Sequence, residues 1–331
     1  MAKLKIALVA GGPSSEHEIS IASSKNILKY LDVKKFDVTL ALISPSNKWG
    51  FGKNFEDTKP TLGLDEGIKQ LIAMKPGLVF NGLHGAFGED GTLQKILEDA
   101  NIRFTGSGSK ASASAMNKIV SQSVVRSHGL KTIDTLDFED KDWAQNSEEI
   151  IKSALKLGLP LVVKPADGGS SIGVYLNQEE SDLRTNIESA LKFSKHIAVQ
   201  PFIKGQEFTC GVIEIDGIAR ALEITEMVVN GDKLFDFDSK YKTSDTTRVT
   251  PANIPQALTD KIKSQAVAVH TAHGCKQYSR TDFLVKDGEV YFLELNTLPG
   301  MTNTSLFPRQ AEAVGIEFPE LLELIIEGSL R

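Results

Sequence analysis

Cysteine is nearly absent from this 331-residue chain: Cys210 and Cys275 are the whole supply. Two thiols 65 positions apart provide neither a disulfide framework nor a CxxC metal site. Buried free thiols are the expectation. Long apolar runs are missing too. The longest early one, Ile6 to Ala10, falls far short of the roughly 20 residues of a spanning helix and of the roughly 7 to 15 of an export-signal core. A cytoplasmic protein without a membrane segment is therefore expected. Positive charge is short as well, 37 Lys and Arg against 43 Asp and Glu, a net −6. Nucleic-acid binding by bulk charge needs a basic face, so no nucleic-acid partner is expected.

Two phosphate motifs are lacking or weak. No G-x-x-x-x-G-K-[ST] occurs, which leaves a P-loop NTPase unsupported. Gly106-Ser-Gly108-Ser-Lys110-Ala111 fits a relaxed G-x-G-x-x-A. It follows a very short strand, however, and Arg126 stands where a ribose-binding acid would be required. A dehydrogenase is not indicated.

What is present is the composition of an ordinary folded protein, 41% hydrophobic and 24% charged, long enough for two or three domains. Lys5 to Ala10 reads as a strand buried on both faces. Gly11-Gly12-Pro13 breaks it, and a helix is expected from about Ser15 with that serine as cap. Phe36–Ile43 and Leu78–Phe80 read as further strands, and Leu93, Ile96, Leu97 and Ala100 recur at helical spacing behind Thr92 as cap. Alternating strands and helices imply a parallel sheet. Residues 138–149 are acidic and weakly periodic, a surface connection or a helix start.

Beyond them strands dominate: 161–163, 197–199, 208–215, 219–225, 280–285 and 289–295. Asp216-Gly217 and Asp287-Gly288 are hairpin signals. A helix carries Leu258, Ile262, Ala266 and Val269 on one face, and Gly274 is placed to end it. The fold class expected is a parallel α/β domain followed by an antiparallel α+β region.

Two clusters carry chemistry. Lys164 closes a buried strand and leads into Pro165-Ala-Asp-Gly168-Gly169-Ser170-Ser171-Ile-Gly173. Glycines let backbone N–H groups approach phosphate oxygens, serines add donors, and the lysine adds a point charge. On these residues alone, a surface turn with a snorkelling lysine fits equally well. Glu294-Leu-Asn296 ends an apolar strand, and residues two apart share a face. A carboxylate and an amide oxygen are hard donors of the kind Mg²⁺ takes beside phosphates, and Asp282 is the natural third. Satisfied polar groups at a sheet edge are the bland alternative. Register discriminates between them. A tight Asp287-Gly288 loop sets Glu294 opposite Thr281 and turns Asp282 away; a three-residue loop or a bulge brings Asp282 back.

Six loops now line up in order: Gly11-Gly-Pro-Ser-Ser-Glu16-His-Glu-Ile-Ser20, His84-Gly-Ala-Phe-Gly-Glu-Asp-Gly91, the glycine- and serine-rich loop, Lys240-Tyr241, Arg280-Thr-Asp282 and Glu294 through Thr302. Together they resemble the D-alanine–D-alanine ligases of the ATP-grasp superfamily, over nearly the whole chain. The resemblance implies a Rossmann-like domain over 1–117 that binds the first D-alanine. It also implies a two-part ATP-grasp region, 118–204 and 205–331, the latter with the metal and second-substrate sites. The implied activity is ATP-dependent formation of D-alanyl-D-alanine for peptidoglycan precursors, through an acyl phosphate.

The resemblance also implies roles for individual residues. Glu16 pairs with the ammonium of the first D-alanine, and Ser170 and Tyr241 join it in tying loops over the cleft. His84 lies near the first substrate. Lys118, Lys164 and Lys240 hold ATP phosphates, with Ser171 in the phosphate loop. Gln200, Phe202 and Ile203 line the adenine, and Glu207 accepts from the ribose. Arg280 and the N–H of Gly300 face the oxyanion, where a permanent planar cation suits developing charge. Ser305 binds the second carboxylate with Leu306 beside it. Asp282, Glu294 and Asn296 ligate two Mg²⁺ ions, for which Mn²⁺ can substitute. A homodimer is the implied assembly.

Many relatives carry glutamate at the place of Gln200 and glycine at that of Ser279; Leu298 is a tolerated variant. The Lys-Tyr pair at 240–241 is lacking in the D-alanine–D-lactate ligases of vancomycin resistance, so its presence implies an amine nucleophile. Two other readings compete with this one. The chain could be an ATP-grasp ligase for a different amino or hydroxy acid, or a nucleotide-binding regulator without turnover. The second usually shows a lost ligand or arginine, and both are intact here.

Overall fold

The computed structural model describes residues 3–167, 172–229 and 246–331. Ser170, Ser171, Lys240 and Tyr241 lie outside the described residues.

The first sheet runs β3 (Trp49–Gly52), β2 (Phe36–Ile43), β1 (Leu4–Gly11), β4 (Leu78–Asn81). β1 is parallel to β2 and β4, while β3 returns antiparallel at the edge. β1 is apolar throughout because both its faces are covered. Ile6, Leu8 and Ala10 enter one core, and Ala7 and Val9 the opposite one. Helices α1 (His17–Tyr30), α2 (Leu64–Ala73), α3 (Thr92–Asp99) and α4 (Ser109–Met116) accompany it. α5 (Lys118–Ser127) leads to the second sheet, ordered β5 (Leu136–Glu139), β8 (His196–Pro201), β6 (Leu161–Pro165), β7 (Tyr175–Asn177), with α6 (Asp140–Leu155) and α7 (Glu180–Ala190).

The third sheet is ordered β11 (Thr246–Val249), β10 (Ile218–Val229), β9 (Gln206–Ile215), β12 (Tyr278–Lys286), β13 (Glu289–Asn296). It is antiparallel across every pairing. α8 (Gln256–Ala272), α9 (Leu306–Glu312) and α10 (Phe318–Leu330) complete the chain. The cores do not respect chain order: Ile6 and Leu8 of β1 share a cluster with Ile213, Tyr278, Phe307 and Leu321. The first and third sheets thus bury apolar surface jointly, which locks the loops between them in place.

Several helix ends differ from expectation. α1 starts at His17 and not near Ser15, with Glu16 at the cap position and no side-chain cap bond; the Ser14 hydroxyl accepts from Glu16 N–H (3.2 Å) and donates across the fold to the His84 carbonyl (2.6 Å). Thr92 is the first residue of its helix and not the cap; the Asp90 carboxylate accepts its N–H at 2.9 Å. In the acidic 138–149 stretch the helix-start reading holds: β5 ends at Glu139, and Asp142 then accepts the Glu139 N–H (3.0 Å) to open α6. The G-x-G-x-x-A segment is structural. The Ser109 N–H at the start of α4 points at Glu98 (2.8 Å) and Gly106 N–H at the Gln277 amide, so a side-chain carboxylate takes the place a phosphate would need.

Candidate active site

The site forms where loops of the first sheet, the open face of the second and the β12–β13 hairpin of the third converge. On the first side, Gly11 and Gly12 turn the chain with φ of +87° and +96°, which glycine alone adopts without strain. α1 turns a polar stripe inward. Ser20 bonds Gly11 N–H (2.8 Å) and the Gly82 carbonyl (2.7 Å), Ser23 meets His84 (3.0 Å) and Met301 N–H (3.2 Å), and Asn26 reaches the Met301 carbonyl (2.8 Å). His84 is buried, its Nδ1 3.2 Å from Glu89. A carboxylate only accepts, so Nδ1 carries the proton of this contact. Glu16 hangs over the same loop: a β-carbon on Gly85 would come within 2.9 Å of its Oε2. The sequence signal for Ser23 is the helical spacing of Ser20, Ser23 and Ser24; Asn26 has none.

On the hairpin, Lys286 pairs with Glu289 across Asp287-Gly288, both with positive φ. The turn is thus the tight two-residue type and the three-residue alternative does not hold. Asp282 nevertheless faces Glu294, and Arg280 faces Asn296, because a bulge at Leu293 shifts the ladder by one residue. All four side chains share one face. Arg280 holds Asp282 with two bonds, Nε–Oδ1 3.0 Å and Nη2–Oδ2 3.1 Å. Burial works against the guanidinium charge, but Asp282, then Glu294 and Glu89, raise its pKa regardless. Asn296 accepts the Leu298 N–H (2.8 Å), and Glu294 lies 3.7 Å from Lys118 Nζ. Ser279, next to the arginine, is fully buried and bonds His270 of α8 at 2.8 Å, a tie that glycine could not make.

The second sheet packs Leu161, Val163, Ile197 and Val199 into its own core, so Val162, Lys164, Ala198 and Gln200 point the other way, with Val162 opposite Gln200 and Lys164 opposite Ala198. Asn117 caps α5 through Ile119 N–H (3.0 Å), and Lys118 N–H donates to the Ala166 carbonyl (2.8 Å). These bonds bring Lys118 and Lys164 together from 46 positions apart. Burial, then the neighbouring Lys118 charge, lowers Lys164 from 10.5 to about 8, with Glu294 and Glu207 pulling weakly back. Two lysines crowded at low dielectric, with Glu294 3.7 Å from Lys118, make a site where further negative charge is favoured. Phe202 donates its N–H to Pro160 (2.8 Å), which sets the strand exit leading to Ile203.

A cavity of about 450 Å³ opens beside Arg280, lined also by Gly300, Ser305, Leu306, Glu18 and Arg248 among others. Ser305 precedes α9, and its hydroxyl accepts Thr302 N–H at 3.0 Å. A β-carbon at residue 300 would sit 2.8 Å from that oxygen, so glycine is required there. Arg248 joins this wall from β11, its Nη1 3.2 Å from the Thr304 carbonyl; nothing in its local sequence points there.

With this geometry in place, two family models divide the chain: the D-ala D-ala ligase N-terminus matches residues 5–107 and the D-ala D-ala ligase C-terminus residues 124–327. The chain belongs to the D-alanine–D-alanine ligase family. It is 36% identical over 346 residues to the D-alanine–D-alanine ligase of Leptospira interrogans serogroup Icterohaemorrhagiae serovar Lai, covering 99% of this chain and 98% of that protein. Its fold matches the VanG D-Ala:D-Ser ligase of Enterococcus faecalis with a TM-score of 0.88 at 29% identity, covering 99% of this chain and all of the other. The D-alanine–D-alanine ligase of Bacillus anthracis complexed with ATP matches with a TM-score of 0.78 at 30% identity, over 99% and 97% of the two chains. Members of this family share the ATP-grasp arrangement of two sheets facing a cleft, here the open face of β6 and β8 opposite β12 and β13. Among the described residues, no helix is long and apolar enough to cross a membrane.

Proposed function

We propose that this protein joins two molecules of D-alanine, with ATP as phosphoryl donor, to supply a peptidoglycan precursor. The observation that carries the reading is the meeting of Arg280, Gly300 and Ser305 on one cavity, beside a lysine pair poised for phosphate. A carboxylate is a poor electrophile, so its oxygen must first become a leaving group. The γ-phosphoryl group passes to the first D-alanine carboxylate, the second amine attacks the carbonyl, and phosphate departs. Charge moves from phosphate oxygens to a tetrahedral oxyanion, and fixed cations suit both stages.

In this reading Glu16 holds the first ammonium near His84. Lys118 and Lys164, joined by Lys240 and Ser171, hold the phosphates. Gln200, Phe202 and Ile203 line the base, and Glu207 binds the ribose. Arg280 and Gly300 N–H receive the oxyanion, Ser305 with Leu306 takes the second carboxylate, and Ser170 and Tyr241 close the loops with Glu16. Asp282, Glu294 and Asn296 fit Mg²⁺, being hard oxygen donors on one strand-pair face with Lys118 and Arg280 as their present counter-charges. When bound, Mg²⁺ or Mn²⁺ supplies charge neutralisation between adjacent phosphates. The division at 1–117, 118–204 and 205–331, and a homodimer in the cytoplasm, belong to the same proposal.

The test is phosphate release from Mg·ATP with D-alanine, beside L-alanine and mixtures of D-alanine with D-serine or D-lactate. Release with D-alanine and appearance of the dipeptide is expected; ATP binding without turnover on any D-amino acid sinks the reading. Ser305→Ala separates the two substrate sites. It should raise KM for the second D-alanine by about tenfold or more, the value of one lost bond to a charged group, while KM for the first stays put. An effect confined to the first D-alanine places Ser305 wrongly.

A further inference from the structure

Gln200 is 3% exposed on the cleft face of β8, and a primary amide there can read a purine in two opposite ways. With its oxygen toward the base it accepts from a 6-amino group; turned over, it donates to a 6-oxo group. Which way it stands is decided by its neighbours, since rotation of an amide costs nothing in shape. Among the described residues its one side-chain bond runs to Thr135, Nε2 to Oγ1 at 2.7 Å. The Thr135 hydroxyl lies 2.8 Å from the Gln122 amide oxygen and 2.9 Å from the Ile133 carbonyl.

A hydroxyl has a single proton. The Ile133 carbonyl is backbone and cannot turn round, and Gln122, itself 3% exposed, offers a second acceptor. With the proton given to either, only lone pairs remain for Gln200, which must meet them with its N–H₂. Its oxygen is thereby left on the opposite edge of the amide. A carboxylate at position 200 would set acceptor against acceptor unless the hydroxyl proton moved, so this hydroxyl pattern belongs with glutamine.

We propose that Thr135, backed by Gln122 and the Ile133 carbonyl, is a positioning residue that holds the Gln200 oxygen toward the nucleobase and so sets the preference for a 6-aminopurine over a 6-oxopurine nucleotide. The inference rests on the nucleotide-site reading given above. The hydroxyl acts through a fixed hydrogen-bond sense, and removing it frees the amide to follow whichever base is present.

Binding of Mg·ATP and Mg·ITP, measured by calorimetry without D-alanine, tests it. The wild type is expected to favour ATP by about tenfold or more, the value of one matched against one mismatched hydrogen bond. Thr135→Val, nearly the same in shape, should bring the ratio close to one, and Thr135→Ser should retain the wild-type ratio. In a Gln200→Glu background both side-chain oxygens accept, so adding Thr135→Val should leave the ATP preference intact. A Thr135→Val ratio equal to wild type overturns the proposal while the nucleotide site stands. An ATP affinity unmoved by Gln200→Ala removes the nucleotide site from Gln200, and the proposal with it.

Discussion

Arg280→Ala is expected to lower kcat by about 10²- to 10³-fold, the loss typical of one oxyanion donor, with ATP affinity changed far less. The guanidinium stands in the wall of the cavity that also contains Gly300 and Ser305, where negative charge develops late in the reaction. A group that acts on developing charge appears in kcat and not in ground-state binding. Alanine also leaves Asp282 without its two-bond partner, so some loss of stability accompanies it. Arg280→Lys separates the effects. It keeps a positive charge beside Asp282 and so most of the stability, but a point charge cannot hold the carboxylate with two donors and still present others to an oxyanion. Steady-state rates with ATP binding measured alongside check both variants. A loss confined to ATP affinity contradicts the role.

Lys164→Met should act in opposite directions on stability and on ATP. The ligand-free protein keeps this lysine in crowded, low-dielectric surroundings beside Lys118, which lowers it to about 8. Replacing it with an apolar side chain of similar length should raise the melting temperature of the ligand-free protein, a gain on the order of 2 kcal/mol. ATP affinity should fall at least about 100-fold, because a buried charge-assisted phosphate contact is lost.

The pH dependence carries the same sign. Between about 8 and 10.5 the unfolded chain holds a proton that the folded chain has released. The lysine's contribution to ligand-free stability therefore rises with pH across that window. ATP binding does the reverse: only the ammonium pairs with phosphate, so affinity falls above about pH 8 by up to about tenfold per unit, with proton uptake on binding. Melting and calorimetric titration from pH 7 to 10, wild type against Lys164→Met, read both trends. Equal pH slopes in the two proteins would show that Lys164 does not titrate there.

Much of this architecture is written locally. β1 is legible because a strand covered on both faces must be apolar at every position, and the structure divides its residues between two cores. The Asp-Gly turns and the helix ended by Gly274 follow from residues whose backbone preferences are intrinsic. The short strands β3 and β7, of four and three residues, carry too few side chains for any period to register. Helix starts shift by a residue or two where a neighbour of the expected residue takes the cap position, as Glu16 does before α1 and Gly91 before α3.

For the site, the sequence alone determined which chemical groups are available: a lysine before a glycine-rich turn, hard oxygen donors on an apolar strand, one arginine beside them. It could not determine which of them meet. Strand period and a tight turn together set Asp282 on the wrong face, and a single bulged residue, Leu293, reverses that. Lys118 and Lys164 become neighbours only because α5 docks on the loop after β6, and the sense of the Gln200 amide depends on a hydroxyl 65 positions away. Residue identity is a local property, whereas register, docking and hydrogen-bond direction minimise the free energy of the whole packed chain, so tertiary structure alone decides them.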